Sequence, residues 1–347
     1  MNDQWTRFLE SRTATIDNDG TVLFPGQPSA PDCALFDLSH LGLIQVSGDD
    51  AESFLQGQLT NDVREVSSSH HQLSGYCTPK GRLLAGFLVF QHTGKLFLQT
   101  PRNRLQPMID RLSMFVLMSR VVVENASDRL VRIGLAGDCA PELLATAFTK
   151  APRKTGDAIE ENGVSLLRLG GQLPRYEMAG EADAISPLWD RLAAQAAPGD
   201  RDYWALLDIR AGIPSIDTGT VEAFLPQMLN LHVIDGVSFT KGCYTGQEVV
   251  ARMKYLGKLK RLMYLAHADV DSRPLPGDEV FSVHSASAQG AGKVVDARPA
   301  PAGGYDLLVV LEISSREQDD LRLADASGPR LTIQELPYSM EQKETSQ

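Results

Sequence analysis

Cysteine is scarce in this chain of 347 residues. Cys33, Cys77, Cys139 and Cys243 are all it has, none pair as CxxC, and more than forty positions separate each from the next. A zinc ribbon or a closed local iron–sulfur site needs denser ligands, so no metal site is read here. An even count could form two disulfides, but a chain of this length does not need staples, and reduced thiols in a cytoplasmic protein are expected. Long apolar runs are also missing. The most apolar stretch, Leu112 to Val123, is broken by Ser113, Ser119 and Arg120, so no membrane span is expected. The start, Met1 to Trp5, lacks a basic segment followed by an apolar core, so no signal peptide is read. Positive charge is not in excess either: 33 bases face 44 acids, a net charge of −11. A protein that holds nucleic acid over its whole surface is basic, so any RNA contact here has to be weak and local.

What is present is an ordinary globular balance, 43% hydrophobic and 22% charged residues, with length for two or three domains. The chain opens with a short helix and a Pro/Gly-rich arm to about Pro31. Leu43 to Val46 reads as a strand that runs into a helix carrying Ala51, Phe54 and Leu55. Leu83 to Phe90 and Lys95 to Gln99 read as a hairpin around Thr93-Gly94. Leu105 to Met118 has helical spacing of Leu105, Met108, Ile109, Leu112, Phe115 and Val116, and Ser119 to Glu124 returns as a strand. Val46 to Leu55 echoes Leu135 to Leu144 at an offset of 89, with Gly48/Gly137, Asp49/Asp138, Ala51/Ala140 and Leu55/Leu144 coinciding. Both read as strand, Gly-Asp turn, helix. Gly permits the tight exit, Asp can cap the helix, and Pro141 suits its first turn. Neither turn has GxGxxG or a P-loop lysine, so two related α+β units are the reading rather than a phosphate loop. From about Lys258 short strand-like runs recur between turn signals at Pro276-Gly277-Asp278, Gln289-Gly290, Gly303-Gly304 and Ser327-Gly328-Pro329, the texture of a small β-barrel. The polar tail after Tyr338 is expected to be loose.

The most specific stretch runs from Phe239 to Arg261. Thr245 and Glu248 fit the T-x-x-E capping box, Val249, Val250, Met253 and Leu256 form an apolar helical face, and Gly257 fits a stop. Cys243 then stands just before a helix N-terminus and two residues after Lys241, and both would favour a thiolate. The segment carries six bases, Lys241, Arg252, Lys254, Lys258, Lys260 and Arg261, against one acid, Glu248. The alternative is a small buried cysteine and a solvated basic helix face.

Lys241-Gly242-Cys243-Tyr244-Thr245-Gly246-Gln247-Glu248 resembles the signature of the YgfZ family, within the superfamily of the glycine-cleavage T-protein (aminomethyltransferase). Phe54 to Asp62, Tyr76 to Leu84, Ile209 to Pro214 and Leu225 to Leu231 resemble its further motifs in the expected order, so the resemblance covers most of the chain. It implies an α+β, T-protein-like fold: two interleaved α/β domains, ferredoxin-like in part, around a central hole, plus a C-terminal β-barrel. The expected divisions are 32–130, 131–257 and 258–338. It implies a protein that binds tetrahydrofolate or a one-carbon derivative and supports assembly or repair of iron–sulfur clusters, including those of tRNA methylthiolation. Its partners would be iron–sulfur enzymes or cluster-assembly proteins. Cys243, with Lys241, would be the functional thiol, within a signature of Gly242, Tyr244, Gly246, Gln247, Glu248 and Arg252. Trp204 would line the folate cavity and Glu177, in Arg175-Tyr176-Glu177, would read the pterin edge. Gln227 and Asn230 would line the same cavity. Core packing for Trp204, a solvated strand position for Glu177 and loop chemistry for the two amides are the alternatives. The sequence departs from a true aminomethyltransferase between Gly81 and Gly86, where the T-protein carries acids and this chain carries none. Methylene transfer needs a charge-stabilising group there, so a folate-dependent transferase is disfavoured; an RNA-binding modification factor using the basic segment is the third reading. His70-His71 reads as a surface turn, and Asp208 and Arg210 as a local pair.

Overall fold

The computed structural model describes residues 1–340 apart from 18–19, 27–29, 256, 258, 286, 288–289 and 319. The expectations for Leu256, Lys258, Gln289 and the last residues of the tail lie outside the described residues.

The chain opens with α1 (Asp3–Glu10), capped by the Asn2 side chain, and the arm that follows forms a small hairpin, β1 (Thr15–Ile16) with β2 (Val22–Leu23). β3 (Ala34–Asp37) comes next. The first unit is β4 (Leu41–Ser47), α2 (Ala51–Gln56), β5 (Gln72–Cys77), β6 (Leu83–His92), β7 (Lys95–Pro101), α3 (Arg102–Ser113) and β8 (Val122–Asn125), with sheet order β5-β6-β7-β4-β8. The second repeats the series: β9 (Val131–Ala136), α4 (Ala140–Ala147), β10 (Ala158–Glu161), β11 (Val164–Arg168), β12 (Arg175–Gly180), α5 (Ala182–Ala193) and β13 (Ala197–Gly199), with sheet order β10-β11-β12-β9-β3-β13. The orders match except that β3 is inserted between β9 and β13. A strand that precedes the first unit completes the second sheet, and the two units are interleaved.

The echoed segments occupy equivalent places. Gly48 (φ 110°) leads β4 into α2, and Gly137 (φ 129°) leads β9 into α4. A Cβ would meet the Arg120 carbonyl oxygen at 2.1 Å in the first case and the Asp32 carbonyl oxygen at 2.2 Å in the second. In each unit a neighbouring backbone crosses the turn, which only glycine allows. The aspartates do not cap as expected. Neither α2 nor α4 has a side-chain cap, and Asp49 instead pairs with the Arg120 guanidinium at 2.8 Å.

Helices cover the outer faces and the sheets face each other. α1, α4 and α5 pack on the second sheet through Trp5, Leu144, Trp189 and Leu192, and α2 and α3 pack on the first through Phe54, Leu55, Leu105 and Met108. Between the sheets lie Leu43, Phe90 and Phe97 from one and Phe36, Leu167 and Ala179 from the other, with Trp204 and Leu207. Those last two belong to α6 (Arg201–Arg210), capped by the Asp200 carboxylate on the Tyr203 N–H at 2.7 Å. α3 ends at Ser113, short of Met118, because the chain turns back over Gly48 to bring β8 to the edge of β4. Met114, Leu117 and Met118 are left exposed.

After α7 (Gln247–Tyr255) come β14 (Arg261–Ala268), β15 (Glu279–Phe281), β16 (Gly292–Pro299), β17 (Tyr305–Glu312), α8 (Ile313–Glu317), β18 (Arg322–Leu323) and β19 (Leu331–Gln334). They form one antiparallel sheet, β18-β15-β16-β17-β14-β19, curled so far that its edges touch: the Leu331 N–H donates to the Leu321 carbonyl at 2.8 Å. This half-barrel matches the expected C-terminal barrel, with the helix α8 in addition. It is fastened to α6 by Arg210–Asp306 (2.8 Å) and Arg298–Asp202 (3.0 Å), so Asp208 and Arg210 do not pair with each other.

The cysteines correct one expectation. Cys33, just before β3, is disulfide-bonded to Cys139 at the start of α4. Cys77 is buried and Cys243 exposed, both as free thiols. The bridge lies where the Asp32 backbone crosses Gly137, so the interleaving of β3 brings together two residues 106 positions apart.

Candidate functional site

A cavity of about 910 Å³ opens where the two sheets, α6 and the 231–240 segment converge. That is room for a ligand of drug or cofactor size. Gln99 of β7, Glu177 of β12 and Trp204 of α6 share its wall.

Glu177 is fully buried. Its Oε2 accepts from Gln99 Nε2 at 2.9 Å, and Gln99 Oε1 accepts from Arg132 Nη1 at 2.9 Å. Arg132 can only donate, so it fixes which end of the Gln99 amide faces Glu177. Arg132 is itself held by the Leu41 carbonyl at 2.8 Å. Glu177 Oε1 has no hydrogen-bond partner among the described residues. Burial pushes the Glu177 carboxyl up to about 7, against the pull of Arg132 and the Gln99 hydrogen bond. A solvated strand position is therefore excluded. Arg132 and Gln99 went unnoticed in the sequence; the available signal was a polar residue inside an otherwise apolar strand.

Trp204 is both core and wall. Its ring lies over Gly134, where a Cβ would meet it at 2.5 Å, and against Phe36 with centroids 5.0 Å apart. Arg175 sits 5.4 Å from the ring centroid, buried, donating to the Gly170 carbonyl at 2.9 Å and paired with Asp208 at 2.6 Å. Gln227 and Asn230 do not line the cavity. Gln227 donates to the Val250 carbonyl and Asn230, in the left-handed region (φ 57°), to the Met263 carbonyl at 2.9 Å, so they tie their own turn to α7 and β14. Tyr338 closes the cavity from the C-terminal side, its hydroxyl donating to the Gly212 carbonyl at 2.9 Å.

His71 is a second correction. The loop from Ser67 to His71 crosses to the second unit, where the His71 N–H donates to the Gly156 carbonyl at 2.8 Å and the Ala158 N–H to that of Ser69 at 2.9 Å. His71 is buried and lines the cavity rather than lying in a surface turn, and burial pushes its imidazole down to about 4.

The signature segment stands beside this cavity. Ser238, Phe239 and Thr240 line it, then the chain turns outward. Lys241 is buried, and Nζ donates to the carbonyls of Gln56 (2.8 Å), Leu59 (2.7 Å) and Asn61 (2.8 Å). An ammonium has three N–H donors, and here each meets a carbonyl of the 54–62 motif. Burial draws Lys241 down to about 8. Cys243 is exposed, four positions before α7 begins at Gln247. The Lys241 charge is thus committed to the 54–62 carbonyls. No hydrogen bond joins Thr245 to Glu248, so the capping box is not formed. The helix start is set instead by Gly246 (φ 86°), where a Cβ would meet the Thr78 carbonyl oxygen at 2.5 Å; opposite it Gly81 faces Val249. The 76–84 and 241–248 motifs therefore dock through two glycines. Tyr244 is buried with its ring 5.1 Å from Lys241 Nζ, Gln247 donates to the Gly242 carbonyl at 3.4 Å, and Glu248 and Arg252 stand on α7, Arg252 exposed.

These features define the class. The fold is that of the aminomethyltransferase T protein: the crystal structure of the glycine cleavage system aminomethyltransferase T from Bartonella henselae matches over 98% of each chain with a TM-score of 0.72, at 14% identity. Residues 30–161 match the GCVT N-terminal domain. Among curated relatives, "tRNA-modifying protein YgfZ" of Edwardsiella ictaluri is 34% identical over 87% of this chain and 91% of its own length. Those of Colwellia psychrerythraea (30%, over 91% and 96%) and Yersinia pestis (32%, over 88% and 92%) carry the same name. The chain belongs to the YgfZ family. No described helix is long and apolar enough to cross a membrane.

Proposed function

We propose that this protein binds a reduced folate in the central cavity and serves tRNA modification as an accessory factor, supporting enzymes whose iron–sulfur clusters need assembly or repair. The observation that carries the folate part is Glu177: a buried carboxyl with one oxygen held and the other free, on the wall of a cavity lined by Trp204. A pterin is flat and heteroaromatic, with adjacent N–H donors on its pyrimidine edge. Glu177 Oε1 offers the acceptor, the Arg132–Gln99 relay holds its direction, and Trp204 and Arg175 offer a flat apolar and cationic wall. When bound, a reduced folate supplies a one-carbon unit or an easily oxidised ring. The name carried by the relatives supports the tRNA part of the reading.

Aminomethyl transfer does not follow from this wall. Leu83, Leu84 and Ala85 are buried and apolar where the sequence already lacks a carboxylate, and Gly86 is the member of that stretch that reaches the cavity. Cys243 and Arg252, both exposed, are the reading's surface for a protein or tRNA partner.

Calorimetry with 5-formyltetrahydrofolate tests the core of this proposal. Wild-type protein should bind. Glu177→Gln should weaken binding by about 10- to 100-fold, the worth of a hydrogen bond to a charged group. Absence of binding at millimolar ligand, or unchanged affinity in the variant, would sink it. In a strain lacking the gene, cluster-enzyme activities and methylthiolated tRNA nucleosides should fall together. With tetrahydrofolate and an aminomethyl-loaded carrier protein, no turnover is expected.

A further inference from the structure

Arg175 and Trp204, which share the cavity wall with Glu177, hang from one point of the fold. Arg175 opens β12, and its sheet neighbour Ala136 is in turn the neighbour of Ala34, at the start of β3. One residue before Arg175, the Pro174 carbonyl accepts from the Gly137 N–H at 3.0 Å. Trp204 follows β13, whose neighbour in the sheet is β3 alone, over three residues from Ala197 to Gly199. The Ala197 N–H donates to the Cys33 carbonyl at 2.9 Å. Gly199 lies against the Phe36 ring, where a Cβ would meet it at 2.5 Å, and Phe36 packs in turn on Trp204. The start of β3 thus seats both wall residues, and the Cys33–Cys139 bridge ties that start to α4.

Apart from the bridge, this seat depends on the backbone hydrogen bonds and packing of a strand four residues long. Both cysteines are half-buried beside the exposed Asp32 and Asp138, so the bridge lies within reach of a thiol from solvent. We propose that the Cys33–Cys139 bridge is a redox switch of the cavity, opened by a dithiol. One thiolate of the dithiol attacks a bridge sulfur and forms a mixed disulfide. The second thiol then closes the dithiol into a disulfide, and two electrons and two protons remain on Cys33 and Cys139 as thiols. β3 loses its tether, the seats of Arg175 and Trp204 loosen, and the cavity holds a reduced folate less tightly. A disulfide oxidant runs the same exchange backwards. This rests on the folate reading above and adds its regulation: the oxidised chain retains the ligand and the reduced chain releases it.

The test compares the oxidised full chain with the same protein after dithiothreitol, and with a Cys33→Ser/Cys139→Ser double variant in both conditions. Alkylation under denaturing conditions should count two thiols in the oxidised chain, Cys77 and Cys243, and four after reduction. The probe is 5-formyltetrahydrofolate, which is stable to dithiothreitol. The reduced chain should bind it about 5-fold or more weakly than the oxidised chain, the low end of coupling between two sites. The double variant should bind like the reduced chain, with no response to dithiothreitol; if it is too unstable to assay, the two wild-type forms carry the result. Hydrogen exchange should quicken on reduction at the Gly137 and Ala197 amides and stay unchanged in the 54–62 segment held by Lys241. Four reactive thiols in the oxidised chain, or equal affinity of its two forms, would overturn the switch and leave the folate site standing. An equal loss in the double variant would place the effect at another thiol and overturn it too. If neither form binds at millimolar ligand, the folate reading fails and this one with it.

Discussion

The cavity wall and the signature loop both bury charged side chains, and they do so in opposite ways. At Lys241 all three ammonium donors find carbonyls, nothing is left over, and the result is a clamp between two chain segments 180 positions apart. At Glu177 one oxygen is held and the other has no partner among the described residues, although the residue is completely buried. A buried polar group left unmade is costly, and at Glu177 the open oxygen stands on a cavity wall, where water or a ligand can complete it. Burial of a charge therefore does not mark a functional site. What singles out Glu177 is the combination of an open acceptor and a place on the cavity wall.

The sharpest break of this comparison is Lys241→Met. It leaves three carbonyls without their donor, and stability in urea should fall by about 3–5 kcal/mol, at about 1–3 kcal/mol per stranded group with partial rescue by water. A loss below about 1 kcal/mol would mean that Lys241 is no clamp. Next in size is the bridge between the units. Under oxidising conditions Cys33→Ser should cost about 2–4 kcal/mol, and dithiothreitol should remove the same amount from the wild type but nothing from the variant. Equal stability of all four samples would show that the bridge does not form in solution.

Glu177 and His71 sharpen the comparison by pH. The Glu177 pKa is raised in the fold, to about 7, so the stability tied to its neutral form is present at low pH and is lost as pH rises through the carboxylate range toward 7. The His71 pKa is lowered to about 4, so its unfolded form takes up protons first, and stability is gained as pH rises from about 4 to the ordinary histidine value. The two slopes oppose each other in one window. Glu177→Gln should remove the falling one, so the variant should gain more stability than the wild type between pH 4.5 and 6.5. Parallel curves would mean that Glu177 titrates as an ordinary acid. The smallest effect belongs to Cys243→Ser. An exposed thiol without packing should change stability by less than about 0.5 kcal/mol, so any failure of the variant to rescue a deletion strain would be chemical. A marked fall in melting temperature would instead make the cysteine structural.

Much of the architecture was legible in the chain because it is local. Thr93-Gly94 dictated the β6–β7 hairpin, the paired Gly-Asp turns announced two related units, and the spaced turns after Lys258 announced the curled sheet. What misled was also local. Thr245 and Glu248 have capping-box spacing, but Gly246 has to fit against the Thr78–Gly81 turn, and that packing sets the helix start. Lys241 and Cys243 are two positions apart in sequence, yet one side chain turns inward and the other outward.

The sequence by itself determined the family through the ordered motifs, the kinds of element and their order, and the absence of an acid between Gly81 and Gly86. Tertiary structure alone decided that β3 leaves its own unit for the second sheet, that Cys33 meets Cys139, that Arg132 orients Gln99 on Glu177, and that Trp204 is at once core and cavity wall. Turn chemistry and periodicity act over a few residues and are written in neighbouring letters. A buried hydrogen-bond chain joins side chains from β9, β7 and β12, and its members become neighbours only when two sheets pack face to face.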